Sequence, residues 1–208
     1  MHSNLMLFVL SSPSGAGKTT LTHMLEKRFS ELTFSVSHTT RPRRANEVDG
    51  VDYHFVDRAE FERLVRAEAF LEWAEVHGNL YGTASSEIIR AEQTPNCVGV
   101  IFDIDYQGAR QIRAKISGVV GVFILPPSME ELERRLRGRA SETEESLKRR
   151  FAAAKLEIEQ YALFDYLVVN DDLNRAFHCL ESVIIAERVK RRRCAALAEQ
   201  LLRVGRLP

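Results

Sequence analysis

A glycine-rich run containing a lysine and two threonines follows an apolar stretch near the start of the chain. Residues 12–20 read S-P-S-G-A-G-K-T-T, and one residue separates them from L-M-L-F-V-L at 5–10. Consecutive backbone N–H groups in such a loop converge on an anion, and the helix that follows adds partial positive charge at its N-terminus. Lys18 would reach β- and γ-phosphates, and the Thr19 hydroxyl would bind Mg²⁺. The run therefore predicts a nucleotide-phosphate loop formed by Ser14, Gly15, Ala16, Gly17, Lys18, Thr19 and Thr20.

This run departs at one position from the general pattern G-x-x-x-x-G-K-[ST], because Ser12 stands where the first glycine is usual. Gly15 and Gly17 still allow the backbone to approach a phosphate closely. The alternative is an ordinary strand–turn–helix with a chance Gly-Lys-Thr. The apolar strand directly before the loop favours phosphate binding.

A second group of residues suited to an anion lies at 37–44, which read S-H-T-T-R-P-R-R. Guanidinium groups pair with phosphate oxygens bidentately, and Tyr53 and Tyr81 add hydroxyl groups further along. An arginine-rich loop is more often a solvated surface, but Pro42 stiffens this one. Two anion sites in one small chain favour phosphoryl transfer between two nucleotides.

The composition is that of a folded α/β domain: 208 residues, 45% hydrophobic and 28% charged, with zero formal net charge. Zero net charge gives no overall field for nucleic acid or an anionic membrane, and no apolar run is long enough to span a bilayer. The first four residues lack the charged start of a secretory signal. Three cysteines in unrelated contexts favour a reducing compartment over a disulfide framework or a zinc site. We therefore expect a cytoplasmic protein with no nucleic-acid or membrane partner.

Strand and helix patterns alternate along the chain, which indicates an α/β fold with a parallel sheet. Apolar runs predict strands at 5–10, 98–104, 119–125 and 166–169. Helices are predicted at 18–29, 129–136, from Ser141 to about Tyr161, and at 173–202 with a break near Arg191. Capping boxes at Ser128/Glu131 and Ser141/Glu144 begin two of these helices. The short-stranded segment 37–91 is predicted to be an inserted lobe.

An ordered set of motifs resembles the guanylate kinase family, in its bacterial, stand-alone kind, from about Leu5 to Arg188. The motifs are T-T-R-P-R at 39–43, D-Y-H-F-V at 52–56, L-E-W-A at 71–74, G-N-L-Y-G-T at 78–83, D-I-D-Y-Q-G at 103–108, P-P-S at 126–128 and V-N-D-D at 169–172. The family has Ala or Gly where Ser12 stands. The resemblance implies a three-layer P-loop NTPase fold with a parallel central sheet, an inserted mostly-β NMP-binding lobe and a short helical lid. The implied core is 1–36, 92–137 and 152–208, the GMP-binding lobe is 37–91 and the lid is 138–151.

The resemblance also implies that the γ-phosphate of ATP is transferred to GMP, or to dGMP, with Mg²⁺ accompanying ATP. The residues implied to hold the GMP phosphate are Arg41, Arg44, Tyr53 and Tyr81. Those implied to read guanine are Ser37, Glu72, Thr83 and Asp105. A carboxylate suits this base, because guanine N1–H and the exocyclic amine are donors, whereas adenine N1 is an acceptor.

Further roles are implied for residues near the transferring phosphate. Asp103 would orient Mg²⁺ together with Thr19, and Asn170 would flank the ATP adenine. The implied catalytic cations are Lys18, Arg41, Arg135, Arg139 and Arg150. The other basic residues of the lid region are expected on a salt-bridged helix face: Arg134, Arg137, Lys148 and Arg149.

The sequence leaves other functions open. Guanylate-kinase-like domains also serve as non-catalytic binding modules for phosphopeptides, although the intact Gly17-Lys18-Thr19 and the lid arginines favour an enzyme. A basic run at 190–193 could contact nucleic acid, but such a run at a helix end is more often solvated. Another nucleoside monophosphate kinase is the alternative within the same class. A homo-oligomer is also compatible with the sequence.

Overall fold

The structure is a computed structural model that describes residues 5–76, 78–138 and 144–207. In these ranges the strands are β1 (Met6–Ser11), β2 (Leu32–Phe34), β3 (His38–Thr39), β4 (His54–Phe55), β5 (Phe70–Val76), β6 (Asn79–Ala84), β7 (Gly99–Asp103), β8 (Val120–Leu125) and β9 (Tyr166–Val169). The α-helices there are α1 (Lys18–Arg28), α2 (Arg58–Arg66), α3 (Ser86–Gln93), α4 (Tyr106–Lys115), α5 (Met129–Arg137), α6 (Glu144–Ile158), α7 (Leu173–Arg188) and α8 (Arg191–Val204). A short 3₁₀ helix, Glu159–Leu163, follows α6 directly.

A parallel sheet of order β2-β7-β1-β8-β9 forms the centre of the molecule. β1 pairs with β7 on one side and with β8 on the other, and every residue of β1 is buried. A strand covered on both faces is apolar throughout, which is why β1, β7 and β8 could be predicted from apolar runs. The edge strand β9 is also apolar, although Leu167 and Val169 are exposed. β2 was not predicted, because its three residues lie at the sheet edge and carry little signal of their own.

Helices cover both faces of this sheet. On one face, Leu21 and Leu25 of α1 and Leu180 of α7 pack against Phe8 and its neighbours. On the other face, Ala109 and Ile112 of α4 pack against Val9, Val100 and Phe102. The three-layer α/β arrangement expected from the sequence is therefore confirmed.

A second sheet, of order β4-β3-β6-β5, lies between β2 and α3 in the sequence. β6 pairs antiparallel with both β3 and β5, and a small core of Phe61, Phe70, Leu80 and Ala84 supports the sheet. This sheet falls inside the segment predicted as an inserted lobe. Helix α2 within that segment was not predicted, although Asp57 Oδ1 caps it by accepting from Glu60 N–H at 2.7 Å.

The helix boundaries differ from the sequence predictions in informative ways. Ser128 Oγ accepts from Glu131 N–H at 3.1 Å, so the Ser128 half of the capping box predicted for α5 is confirmed. The Glu131 carboxylate pairs instead with Arg134 and Arg135. Ser141 lies outside the described residues. The helix predicted at 173–202 is two helices, α7 and α8, separated next to Arg191 as expected. Within the described ranges, no helix combines the length and apolar character of a membrane span.

Candidate active site

The loop between β1 and α1 has the backbone geometry that its glycines predict. Gly15 and Gly17 have φ of +92° and +95°, values that favour glycine. A Cβ on Gly17 would overlap the side-chain amide of Asn170. Ser12 lies outside the positive-φ region, so a serine replaces the usual glycine without backbone strain. The loop thus presents the N-terminus of α1 to an anion.

Lys18 begins α1 and forms an ion pair with Asp103, the last residue of β7. Thr22 Oγ1 also donates to Asp103 Oδ2 at 3.2 Å. Burial lowers the pKa of Lys18 to about 8, while the Asp105 and Glu157 carboxylates oppose that shift. A bound polyphosphate would raise the pKa of Lys18 again, because an opposite charge favours the ammonium form.

Helix α6 holds the phosphate loop through Ser14. Arg150 Nη2 donates to Ser14 Oγ at 2.7 Å, and Ser14 N–H donates to Glu157 Oε2 at 3.0 Å. Arg150 and Glu157 are two helical turns apart and therefore lie on one face of α6. Burial raises the pKa of the Glu157 carboxyl. Glu157 was not predicted as a site residue.

Two further predicted residues, Arg135 and Asn170, also form hydrogen bonds with this loop. Arg135 donates to the carbonyl oxygens of Ala16 at 3.3 Å and Asn170 at 2.9 Å. The buried side-chain amide of Asn170 donates to Ala16 O at 2.7 Å, so it supports the loop backbone. Its place beside an adenine stays a prediction. Arg139 lies outside the described residues.

A buried polar cluster lies in the second sheet and the segment that leads into it. Glu72 of β5 and Thr83 of β6 are opposite each other in the antiparallel register, and Thr83 Oγ1 donates to Glu72 Oε1 at 2.7 Å. Ser37 Oγ lies 3.2 Å from Thr83 Oγ1. Burial raises the pKa of Glu72 to about 7, and the Asp105 carboxylate adds to the shift. Any side chain on Gly108 would overlap the Glu72 carboxylate, so α4 must approach β5 with a glycine here.

Asp105 and the Arg/Tyr group complete the predicted set. Asp105 Oδ1 caps α4 by accepting from Gly108 N–H at 2.9 Å. Arg41 forms a bidentate ion pair with Glu47, at 2.7 and 3.0 Å, and its guanidinium lies 5.4 Å from the Tyr53 ring centre. The remaining members, Arg44 and Tyr81, lie beside Glu47 and Tyr53 respectively.

One cavity, of about 310 Å³, connects the phosphate loop with the second sheet. The predicted residues that line it are Ser14, Gly15, Gly17, Lys18, Thr19, Thr20, Ser37, Tyr53, Glu72, Tyr81, Asp103 and Asp105. The predicted residues outside its lining are Ala16, Arg41, Arg44, Thr83, Arg135, Arg150 and Asn170. The structure therefore brings together two groups of residues that are far apart in the sequence.

A buried strand, a glycine loop and a helix that begins with lysine define this chain as a P-loop nucleotide-binding protein. The family model described as guanylate kinase matches residues 5–187. The chain belongs to the guanylate kinase family. It is 51% identical over 189 residues to the guanylate kinase of Myxococcus xanthus, covering 90% of each chain. It is 50% identical over 187 residues to that of Geobacter sulfurreducens, covering 89% of this chain and 90% of the relative.

A solved structure supports the same assignment. The crystal structure of guanylate kinase from Anaplasma phagocytophilum superposes with a TM-score of 0.77 at 35% identity, covering 95% of this chain and 93% of that one. The fold, the loop and the family match therefore agree.

Proposed function

We propose that this protein is a nucleoside monophosphate kinase that transfers the γ-phosphoryl group of ATP to GMP, giving ADP and GDP. The observation that carries this proposal is that the phosphate loop and the buried carboxylate of Glu72 line the same cavity. A phosphate loop alone would fit many nucleotide-binding proteins. A buried acceptor across the same cavity supports a second, guanine-bearing substrate.

Guanine recognition is proposed for Glu72, Thr83, Ser37 and Asp105. Glu72 is 3% exposed, so an ionised carboxylate there needs donors to compensate for lost hydration. Guanine offers two adjacent donors, N1–H and the exocyclic amine, whereas adenine presents an acceptor at N1. The site would therefore accept GMP and exclude AMP, because AMP leaves a buried charge unpaired.

The GMP phosphate is proposed to bind Arg41, Arg44, Tyr53 and Tyr81. Glu47, which was not predicted, holds the Arg41 guanidinium in a bidentate pair. This pair fixes the arginine near the Tyr53 ring, where a phosphate can share its donors. Dianionic phosphate would then compete with the Glu47 carboxylate for the guanidinium.

Phosphoryl transfer is proposed to proceed by in-line attack of a GMP phosphate oxygen on the γ-phosphorus, with ADP as the leaving group. Lys18 and the loop amides would hold the β- and γ-phosphates, and Arg135, Arg139 and Arg150 would stabilise charge on the equatorial oxygens. No covalent intermediate with the protein is required, because positioning and charge stabilisation lower the barrier. Arg150 would exchange its bond with Ser14 for one with the nucleotide.

Thr19 and Asp103 are proposed to hold the Mg²⁺ that accompanies ATP. Both line the cavity, and their oxygen atoms suit an ion that takes few protein ligands and several phosphate oxygens. The described part of the chain holds no group of three or more His, Cys, Asp or Glu placed to form a metal cage. When bound, the ion would neutralise charge between the β- and γ-phosphates.

The test is ADP release from ATP with GMP, AMP, CMP and UMP supplied in parallel, against a control without acceptor. We expect release that depends on GMP and is much slower with the other nucleotides. Release that is no faster with GMP than without it would favour the alternative, a non-catalytic guanylate-kinase-like binding module. Equal rates with AMP would instead overturn the assignment of the base-reading residues.

A further inference from the structure

Glu87 is a buried carboxylate that the proposed reaction does not use. It lies in the first turn of α3 and is 6% exposed. Its Oε2 accepts from Val36 N–H at 2.8 Å and from Arg90 Nη2 at 2.7 Å. Arg90 Nη2 also donates to the Phe34 carbonyl oxygen at 2.9 Å. The Glu87–Arg90 pair thus holds backbone groups on both sides of residue 35.

The two segments joined in this way are the connections between the central sheet and the second sheet. Residues 35–37 lead from β2 to β3, and Ser85 leads from β6 back to α3. Ala91 of α3 is 1% exposed and packs in the core beside the central sheet. Glu87 therefore holds residues 35–37, which lead from the central sheet to the second sheet, against a helix that packs in the core.

The residue after Val36 is Ser37, whose hydroxyl contacts Thr83 and, through it, Glu72. These three side chains must be placed together for a base to meet all of them. We infer that Glu87 is a positioning residue for guanine recognition, which holds Ser37 in register with Thr83 and Glu72 by fixing the Val36 amide. This inference rests on the proposed function of that cluster.

The physical reason is that charge-assisted hydrogen bonds are directional and strong. Removing the carboxylate leaves the Val36 N–H and the Arg90 guanidinium without this acceptor. The backbone of residues 35–37 would then gain conformational freedom. Small displacements of binding groups reduce the rate for the substrate they contact. Among the described residues, neither Glu87 nor Arg90 forms a side-chain hydrogen bond with the phosphate loop, so the affinity for ATP should change little.

The experiment compares Glu87→Ala and Glu87→Gln with the matched control Glu60→Ala. Glu60 pairs with Arg63 at the same i,i+3 spacing, at 2.7 Å, but on the exposed face of α2. For Glu87→Ala we expect the KM for GMP to rise about tenfold, with the KM for ATP changed less than about twofold. The GMP-to-AMP ratio of kcat/KM should narrow by a similar factor. Glu87→Gln keeps an oxygen for Val36 N–H and should recover part of the loss.

A purely structural role would give a different pattern. Equal losses for GMP and AMP, or equal rises in both KM values, would overturn the inference, as would kinetics matching Glu60→Ala. If circular dichroism shows that Glu87→Ala does not fold, Glu87→Gln and Arg90→Ala are measured instead. In that case, an unchanged ratio of kcat/KM for GMP to kcat/KM for AMP in both variants would also overturn the inference. Failure of the proposed function can be distinguished from failure of the inference alone. If the proposed function is wrong, wild type and Glu60→Ala will lack GMP-dependent ADP release, and the inference is then wrong as well.

Discussion

In its proposed role as guanine acceptor, the buried Glu72 carboxylate would link the choice of substrate to proton binding. Its neighbours supply one strong donor, the Thr83 hydroxyl, and burial raises its pKa to about 7. A group poised near neutrality changes its protonation when new donors arrive. Glu72 is therefore where the proposed base selectivity is most sharply tested.

Glu72→Gln should reduce kcat/KM for GMP by about one to two orders of magnitude, with little change in the KM for ATP. Each charge-assisted hydrogen bond lost costs about 1.5–3 kcal/mol, and glutamine keeps one acceptor while presenting a donor. The ratio of kcat/KM for GMP to kcat/KM for AMP should fall as well. Steady-state kinetics with both acceptors measure this, and unchanged GMP kinetics would show that other residues read the base.

GMP binding should also weaken as the pH falls from 8 to 6. Below a pKa of about 7 the Glu72 carboxyl is mostly protonated, whereas guanine requires the ionised form as acceptor. Binding near pH 7 should therefore release a proton, by the linkage between binding and pKa. Calorimetric titrations in two buffers of different ionisation enthalpy measure that release.

The GMP phosphate titrates in the same range, with a pKa of about 6, so Glu72→Gln is the control. An equal pH dependence in both proteins would contradict the assignment.

Lys18→Ala should lower kcat by about 10²–10³-fold in a folded protein, because a preorganised cation at the transferring phosphate is lost. Lys27→Ala is the matched control, since Lys27 is an exposed lysine on the same helix. Near-wild-type turnover of a folded Lys18→Ala protein would contradict the phosphate-loop assignment.

At the scale of elements, α6 connects the proposed lid to the phosphate loop. Arg150 and Glu157 hold the hydroxyl and the amide of the same residue, Ser14. A nucleotide bound at the proposed γ-phosphate position would therefore change contacts that α6 makes directly with Ser14. Such a contact suits a segment that closes after both substrates have bound.

Hydrogen exchange of residues 144–150 should slow when ATP and GMP analogues are bound together, and slow less with either alone. The reason is that lid arginines gain ionic partners once both sets of phosphates are present. Exchange in α7 serves as the internal control. Equal exchange in the presence and absence of both analogues would argue against a mobile lid.

The elements that could be predicted carry their own signals, as the apolar run of β8 and the Ser128 cap of α5 do. β2 could not be predicted, because its three residues are a strand only by virtue of their hydrogen bonds to β7, which is distant in the sequence. The motif residues of the site could be predicted from contiguous patterns. Glu157 and Glu87 could not, because folding brings them to partners 143 and 51 residues away in the chain.

For the whole molecule, α8 contributes little to the packed core. None of its residues is buried, Leu202 is 88% exposed, and the family match ends at residue 187. The Glu187–Lys190 ion pair precedes the helix and would survive its removal. The domain should therefore be complete without α8.

Truncation after Lys190 should leave kcat/KM for GMP within about twofold, and should shift the free energy of unfolding by about 1 kcal/mol or less, because little apolar area is exposed. Leu180→Ala, at a side chain that is 1% exposed in α7, should cost about 2–5 kcal/mol by leaving a cavity. Urea unfolding of both variants measures the difference. A truncation as damaging as Leu180→Ala would mean that α8 stabilises the domain.

The position of β1 in the sheet has a consequence for synthesis on the ribosome. β1 precedes both of its neighbours, β7 and β8, in the sequence by a long interval, with Gly99 the partner of Met6. At about 5–20 residues per second, β7 is made roughly 5–20 s after β1. During that interval β1, which is fully buried in the folded protein, has neither of its neighbouring strands. We therefore expect the yield of protein in cells to depend on how well residues 6–11 are shielded until β7 and β8 have been made.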